Sequence, residues 1–504
     1  MNHLIIKNNQ CIPLSTIPIL EYEKFLEQNT SLLSETHNHC VNYYGFPYQG
    51  KIKLMCCIAN DKEGIIYVSS SILPSPIGEG HGVRFPSFTK HNLAFEKFER
   101  EIHENFGIKY DDHPWLKPVR FSHNRADKNS TIAKYQFFKI ESEELHEVGV
   151  GPIHAGIIEP GHFRFICNGE QILHLEIQHG FQHRGIETLF LEKKKLLQRI
   201  TLAENIAGDT VAGHTTAFVN CWESLCNAKA DEDLQFSRTL ALELERIAIH
   251  TGGLSGMCTD IAYQLGSSVF GRLRTPIINY FQVWCGNRLA KGLIRSEKNH
   301  FPFTNELGNK LSTIFDKYEP DFDEMSKELF TLPTVLGRFE KTGIVTNEQA
   351  SNIGTVGMIA RTCGIERDIR KTHPHNLYPS LNHQPIIKRH GDVYSRAQIR
   401  KEEIKQSIGY IRKMIQNIPS ENKNRKPLTQ PESSSFCISL VEGWRGEICH
   451  CAITDELGEL MHYKIKDPSM HNWLALALAV RNNEISDFPI CNKSFDLSYC
   501  GQDL

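Results

Sequence analysis

HFRFICNGEQILHLEIQHGFQHRGIE, residues 162–187, is the stretch in which the chain changes character. The runs HFRFIC and QILHLEI flank NGE, and Asn168-Gly169 is a strong hairpin signal because both residue types tolerate tight-turn conformations. HGFQHRGIE (179–187) therefore lies at the exit of a strand. Upstream, KIKLMCCIA (51–59) and GIIYVSSSI (64–72) read as strands separated by the turn NDKEG. NLAFEKFEREIHENFGI (92–108) reads as an amphipathic helix with Leu93, Phe95, Phe98, Ile102 and Phe106 on its apolar face. Downstream, 188–207, 234–254 and 394–416 carry apolar residues at helical spacing. A polar loop over 418–435 follows, and then a strand-like tail that resumes at SFCISLVEG and ends in FPICNKSFDLSYCGQDL. The expected fold class is α+β: an N-terminal α+β domain (1–125), a polar irregular linker (126–147), and a mainly helical domain (148–504) with a small β-hairpin sheet at its start. No internal repeat is visible.

A chain of 504 residues exceeds one ordinary core. With 40% hydrophobic and 23% charged residues it has the composition of a globular protein. A net charge of -3 implies no affinity for nucleic acid or an anionic membrane. No apolar run approaches the roughly 20 residues needed to cross a bilayer; KLMCCIA and WLALALAV are short enough to be core elements. MNHLIIKNNQ has neither a long apolar stretch nor a small-residue cleavage site, so no signal peptide is expected. The expected location is cytoplasmic, with membrane attachment through partners. None of the fifteen cysteines falls in a C-x-x-C pair, so most read as small buried hydrophobes and not as ligands.

His179 and His183 stand four apart, as in the zinc-peptidase pattern H-E-x-x-H, yet Gly180 occupies the place of the catalytic glutamate. Two glycines argue against a regular helix and for close backbone approach to a neighbour. On these residues alone, a hydrogen-bonded structural turn is the favoured reading. HNHC (37–40) offers metal-type residues but reads better as a loop, and the lysine run 193–195 reads as a solvated helix face. GEGHG (78–82) is glycine-rich without the G-x-G-x-x-G spacing of a nucleotide loop.

Longer blocks alter this reading. GPIHAGIIEPGHFRFICNGE (151–170), ELERIAIHTGGLSGMCTDIAYQLG (243–266), GTVGMIARTCGIERDIRKTHPHNLY (354–378) and GDVYSRAQIRKEEIKQSI (391–408) resemble the large subunits of membrane-associated group 4 nickel–iron hydrogenases. They equally resemble the 49 kDa, quinone-site subunit of respiratory complex I. FEKFEREIHENFGIKYDDHPWL (95–116) is similar to the 30 kDa subunit of complex I, and the order matches fused large subunits of the formate hydrogenlyase type. The resemblance implies that the 179–187 loop faces an iron–sulfur small subunit like the one that carries the terminal cluster of complex I. His179, His183, Arg184, Glu187 and His154 would then lie toward a cofactor. A cation and a titratable donor there would raise a cluster's potential. Membrane antiporter-like subunits are the other implied partners.

The chain departs from both relatives where their chemistry sits. In NIAGDTVAGHTTAF (205–218) the two cysteine positions of the hydrogenase motif are Ala207 and Thr210, with Gly208 and His214 retained. In SFDLSYCGQDL the aspartate position is Asp496, the ligand positions are Ser498 and Gly501, and Cys500 is one residue out of register. Nickel needs soft thiolates at both ends of such a site, so no metal and no bound cofactor is expected in this chain. The quinone-contacting histidine and tyrosine of complex I match Ile158 and Gly208, while His154 is kept. Quinone remains one acceptor among others.

Glu159 resembles the hydrogenase proton-gating glutamate, and burial in an emptied pocket would raise its pKa and make it a proton carrier. His214, Asp209, Arg361, Asp368 and Arg370 fall in blocks that line the central cavity of relatives. His214 reads more simply as a satisfied core histidine. For Arg361, Asp368 and Arg370 an inter-helix ion network is the equal alternative. Two functions follow as expectations: a redox subunit that passes electrons from a partner's clusters to quinone or another acceptor with coupled proton movement, or a catalytically silent scaffold. Hydrogen turnover is not expected.

Overall fold

The computed structural model describes residues 2–74, 84–155 and 158–504; GEGHG lies outside them. An antiparallel sheet of the strands Asn38–Tyr48, Lys51–Asn60 and Ile65–Leu73 forms the N-terminal part, with Leu4–Ile6 on one edge and Ile19–Leu20 paired in parallel to Ile65–Leu73. HNHC thus opens a strand and is not a loop. The 92–108 helix starts as a 3-10 turn (Leu93–Phe95) and continues as Glu96–Phe106. Phe95, Phe98 and Ile102 pack into the core beneath the sheet. The other face of this helix is covered as well: Glu99, Glu101 and Glu104 are buried. The helix is therefore the seam between the two halves, and its charges pair across it, Glu101 with Arg120 and Lys464.

Residues 112–145 contain no regular element beyond the turn Ile132–Lys134. Glu176 of the second half tacks them down by accepting bonds from Tyr135 Oη and the Phe138 backbone N–H. The hairpin forms as expected, His162–Asn168 against Gln171–Gln178, with His146–Val150 as a third strand.

Two expectations need correction. The 188–207 helix is two short ones, Ile186–Glu192 and Leu196–Ala203, because Lys193 and Lys195 take extended backbone; the lysine run is a break and not a helix face. The tail after Phe488 is helical, Phe488–Phe495 and Tyr499–Asp503, after a helix Ser469–Ala479 that contains most of WLALALAV. Its short apolar runs fit either element, and length does not arbitrate below about ten residues. A further sheet also follows the helices: Leu460–Lys466, Glu447–Thr454 and Ser435–Glu442, with Cys11–Pro13 of the N-terminal part on its edge.

Glu232–Asp260 is the central helix. Glu232 and Asp233 complement its N-terminal dipole, and it is buried over most of its length, as a helix surrounded by others must be. Gln264–Cys285 and Val393–Met414 pack along it, and Val211–Leu225 lies on the C-terminal sheet. No described helix is long and apolar enough to cross a membrane.

Candidate functional site

The two segments that the resemblance sets against the hydrogenase cysteine motifs lie side by side. Arg184 joins them through backbone carbonyls, donating to Asn205 O (2.6 Å), Ile206 O (2.9 Å) and Cys500 O (3.0 Å). Arg445 joins them again from the tip of the hairpin between Glu442 and Glu447. Its guanidinium clasps both oxygens of Asp209 (2.7 and 2.6 Å), donates to Thr210 Oγ1 (3.1 Å), and through Nε reaches Asp496 O (2.5 Å). Burial opposes the charge of Arg445, but Asp209 outweighs it and holds the group protonated.

The residues at the four ligand positions do not fit a thiolate-held metal pair. Thr210 Oγ1 is bonded to Arg445, and Ser498 Oγ accepts from Gly501 N at 2.8 Å as a helix cap. A Cβ at Gly501 would lie 2.6 Å from Cγ and Oδ2 of Asp467, so the fourth position is closed by a carboxylate. The sulfur of Cys500 is buried, and burial followed by the neighbouring charge of Glu159 pushes its thiol up to about 12. Among the described residues no group of three or more His, Cys, Asp or Glu is arranged to hold a metal ion.

Glu159 is at the cage but is not the unpaired buried acid expected from sequence. It is half-buried, and its Oε2 accepts from the backbone N–H groups of Tyr499 (3.1 Å) and Cys500 (3.0 Å). The Cys500 thiol lies against the same carboxylate. His154 stands beside it, bonded through Nε2 to Gly161 O at 2.9 Å, and Ile158 is exposed.

His214 lies one layer behind and is satisfied on both nitrogens. Its Nε2 meets Asp467 Oδ2 (3.0 Å) and its Nδ1 meets His450 Nε2 (3.1 Å), while His450 Nδ1 meets Tyr463 Oη (2.8 Å). A single direction of donation satisfies all of them: Tyr463 to His450, His450 to His214, His214 to Asp467. Burial, and then the proximity of His214, holds His450 neutral.

The 179–187 loop is pinned by the last helical turn. Asp503 accepts from Gly180 N (2.8 Å) and Gln182 N (2.9 Å), and its own backbone carbonyl meets His183 Nδ1 at 2.7 Å. Gly180 has φ +95°, and a Cβ there would strike Arg120 O at 2.9 Å, which is the close approach the glycines implied. Glu187 accepts from Ile465 N and pairs with Lys464. His179 is buried edge-on against Trp473, 4.8 Å between centroids, away from the other members of the loop; burial lowers its pKa strongly.

Arg361, Asp368 and Arg370 are not at the cage. They form a fully buried ion network with Glu403, Glu442, Glu243 and Arg246. Arg361 reaches Glu442 (2.7 Å), Glu403 (2.8 Å) and Asp368 (3.2 Å); Arg370 reaches Asp368 (2.7 Å) and Glu403 (2.7 Å). Glu442 starts the hairpin whose tip carries Arg445, so this network and the cage share one rigid element. Arg445, Asp467, Asp503, Glu403 and Glu442 were not legible as site residues. The only local signal was EGWRGE (442–447), an arginine set between glycines at a hairpin tip.

Residues 260–436 match the family described as the 49 kDa subunit of respiratory-chain NADH dehydrogenase. The chain is 26% identical to the carbon monoxide-induced hydrogenase of Rhodospirillum rubrum over 352 residues, 70% of this chain and 97% of that one. It is 25% identical to formate hydrogenlyase subunit 5 of Escherichia coli (82% and 76% covered). It is 26% identical to the NADH-quinone oxidoreductase C/D protein of Phocaeicola vulgatus (77% and 81% covered). The fold and the relatives define a class of oxidoreductase-complex large subunits. Within it, residues 260–436 carry the 49 kDa-subunit pattern, and the chain as a whole is similar to NADH-quinone oxidoreductase C/D and formate hydrogenlyase subunit 5 proteins, consistent with a 49 kDa-like part fused to a 30 kDa-like one.

Proposed function

We propose that this chain is the large subunit of a membrane-anchored complex that passes electrons from a partner's iron–sulfur clusters to a quinone or another acceptor, with coupled proton movement and without a nickel–iron centre. The observation that carries this reading is the anchored guanidinium of Arg445 between the two former ligand segments. A carbonyl oxygen that gains negative charge on reduction is favoured beside a guanidinium fixed in place. Glu159, anchored through Oε2 at the edge of the cage, would take or give a proton to whatever the cage receives. The 179–187 loop would dock the iron–sulfur small subunit, and antiporter-like subunits would hold the assembly at the cytoplasmic face of the membrane. No nucleic acid is a partner.

A scaffold role is the second reading, and one observation favours it: Thr210, Ser498 and Asp467 already fill the cage with internal contacts. Reoxidation of reduced clusters by a quinone in the purified complex separates the two. Under the redox reading, Glu159→Gln and His183→Ala slow reoxidation at least tenfold while the complex stays assembled. Unchanged rates in both variants support the scaffold, and stoichiometric nickel in the sample would overturn both.

A further inference from the structure

A cavity of about 490 Å³ lies at the seam between the two halves of the chain. The helix Glu96–Phe106, the irregular 112–145 segment, the strand Gln171–Gln178 and the helix Ser469–Ala479 enclose it. Trp473 is its wall toward the cage, because the indole lines the cavity while its Nε1 donates to Ser498 O at 3.4 Å. Most of the lining is apolar: Trp115, Leu116, Leu175, Ile177, Trp473 and Leu474. Small-molecule sites have this size and this make-up, apolar walls with a few polar groups that set orientation.

The two carboxylates in the lining are already occupied. Glu96 pairs with Arg100, and Glu176 pairs with Lys117 and accepts from Tyr135 Oη (2.8 Å) and Phe138 N (2.7 Å). Two nitrogens are not. Lys97 Nζ and His179 Nε2 are bonded to no protein atom, although the residues are only 9% and 7% exposed. Buried polar groups are nearly always satisfied, and an ammonium without a counter-ion is among the costliest to bury. Burial lowers the Lys97 pKa to about 7 against the pull of Glu96. Burial, and then the charge of Lys97, holds His179 neutral, so its ring can present Nε2 as a donor. Arg481, exposed, is a further cation in the lining.

We propose that this seam cavity binds a small amphipathic carboxylate, its anionic oxygens on Lys97 Nζ and His179 Nε2–H and its apolar body against Trp115, Ile177 and Trp473. The spare groups are donors, which excludes a cation. A neutral apolar guest would leave the ammonium unmatched, and a phosphate monoester would bring more charge than one buried ammonium balances. The guest touches both halves of the chain, so it fastens the seam. The site is independent of electron transfer at the cage.

The test is calorimetric titration of the full chain with 2-naphthoate and decanoate, with naphthalene-2-carboxamide as the neutral control. At pH 7 at least one carboxylate should bind tenfold or more tighter than the amide, and the tighter of the two tells a flat aryl body from an acyl chain. Lys97→Met should weaken binding at least tenfold while raising the unfolding midpoint of the ligand-free chain, since an unmatched charge is removed. Leu474→Trp, which keeps the ammonium and fills the cavity, should also weaken binding at least tenfold. Wild-type affinity should fall about tenfold from pH 8 to pH 9, with one proton taken up per carboxylate bound, because the amine must be protonated again. Asp503, raised to about 6, and His179, lowered, have finished titrating below that window, so Lys97→Met should lose the slope. The proposal is overturned by the lack of saturable binding of either carboxylate, or by an amide that binds as tightly. It is equally overturned by full affinity in either variant, or by a lower midpoint in Lys97→Met, which would show the ammonium to be matched within the protein.

Discussion

Replacing His39 by leucine tests how the N-terminal part is held to the rest. His39 is 2% exposed and has a carboxylate facing each ring nitrogen: Asp61, in the turn after the strand Lys51–Asn60, at 3.2 Å and Glu447 of the C-terminal sheet at 2.6 Å. Nε2 donates to Glu447, while Asp61 faces Nδ1 as a charge without a well-aligned hydrogen bond, so it is the two flanking carboxylates that favour the imidazolium. Burial and Arg367 work against that charge, and Asp61 and Glu447 overcome them, leaving the pKa raised above 6.5. Each hydrogen bond to a charged group contributes about 1.5–3 kcal/mol. Removing one partner of a buried pair costs about 3–5 kcal/mol. Glu447 keeps Lys466 and Asp61 keeps Arg367 in the variant, so the lower end applies, about 3 kcal/mol at pH 6. A raised folded pKa contributes stability that is complete below the unfolded value near 6.5 and is lost as pH rises through the folded value. The gap between wild type and His39→Leu should therefore shrink by about 1.4 kcal/mol per pH unit above the unfolded value, until the folded pKa is passed. Guanidinium unfolding at pH 6, 7, 8 and 9 measures it. A gap that stays constant or widens with pH would refute the bridging imidazolium, as would a gap under about 1 kcal/mol at pH 6.

Two further outcomes follow from packing. Gly501→Ala drives a methyl group into Asp467, which His214 and Ser469 N hold in place; it should destabilise the chain by about 1–3 kcal/mol, read as a lower unfolding midpoint, whereas Gly208→Ala, with open space at its Cβ, should change little. Burial pushes the thiols of Cys226, Cys258 and Cys500 up to about 12 and that of Cys491 to about 11, with nearby carboxylates adding to it for Cys226 and Cys500. The folded chain should therefore resist iodoacetamide at pH 8 and react at all fifteen cysteines only when unfolded; rapid alkylation of Cys500 in the native protein would contradict its placement.

The hairpin at Asn168-Gly169 and the central helix were legible because their signals are local, a turn residue pair and a long 3.6-residue period. The helices after Phe488 were not, since FPICNKSF and YCGQD are too short for period to separate helix from strand. Glu159 shows the same limit in the site. Its place at the cage could be read from neighbouring motifs, but its partners are backbone N–H groups about 340 residues away, and they turn an expected bare buried acid into a half-buried, bonded one.

By itself the sequence determined the α+β class, the strand exit carrying 179–187, and the absence of thiolates at positions 207, 210, 498 and 501, since each depends on residue identity or near-neighbour spacing. Only the tertiary structure decided what replaces the thiolates. Arg445, Asp467 and Glu159 come from three distant segments, and their charges have meaning only through partners that folding supplies. The same holds for His39, an ordinary histidine in the chain that becomes an ionic clasp because burial leaves its ring between two carboxylates.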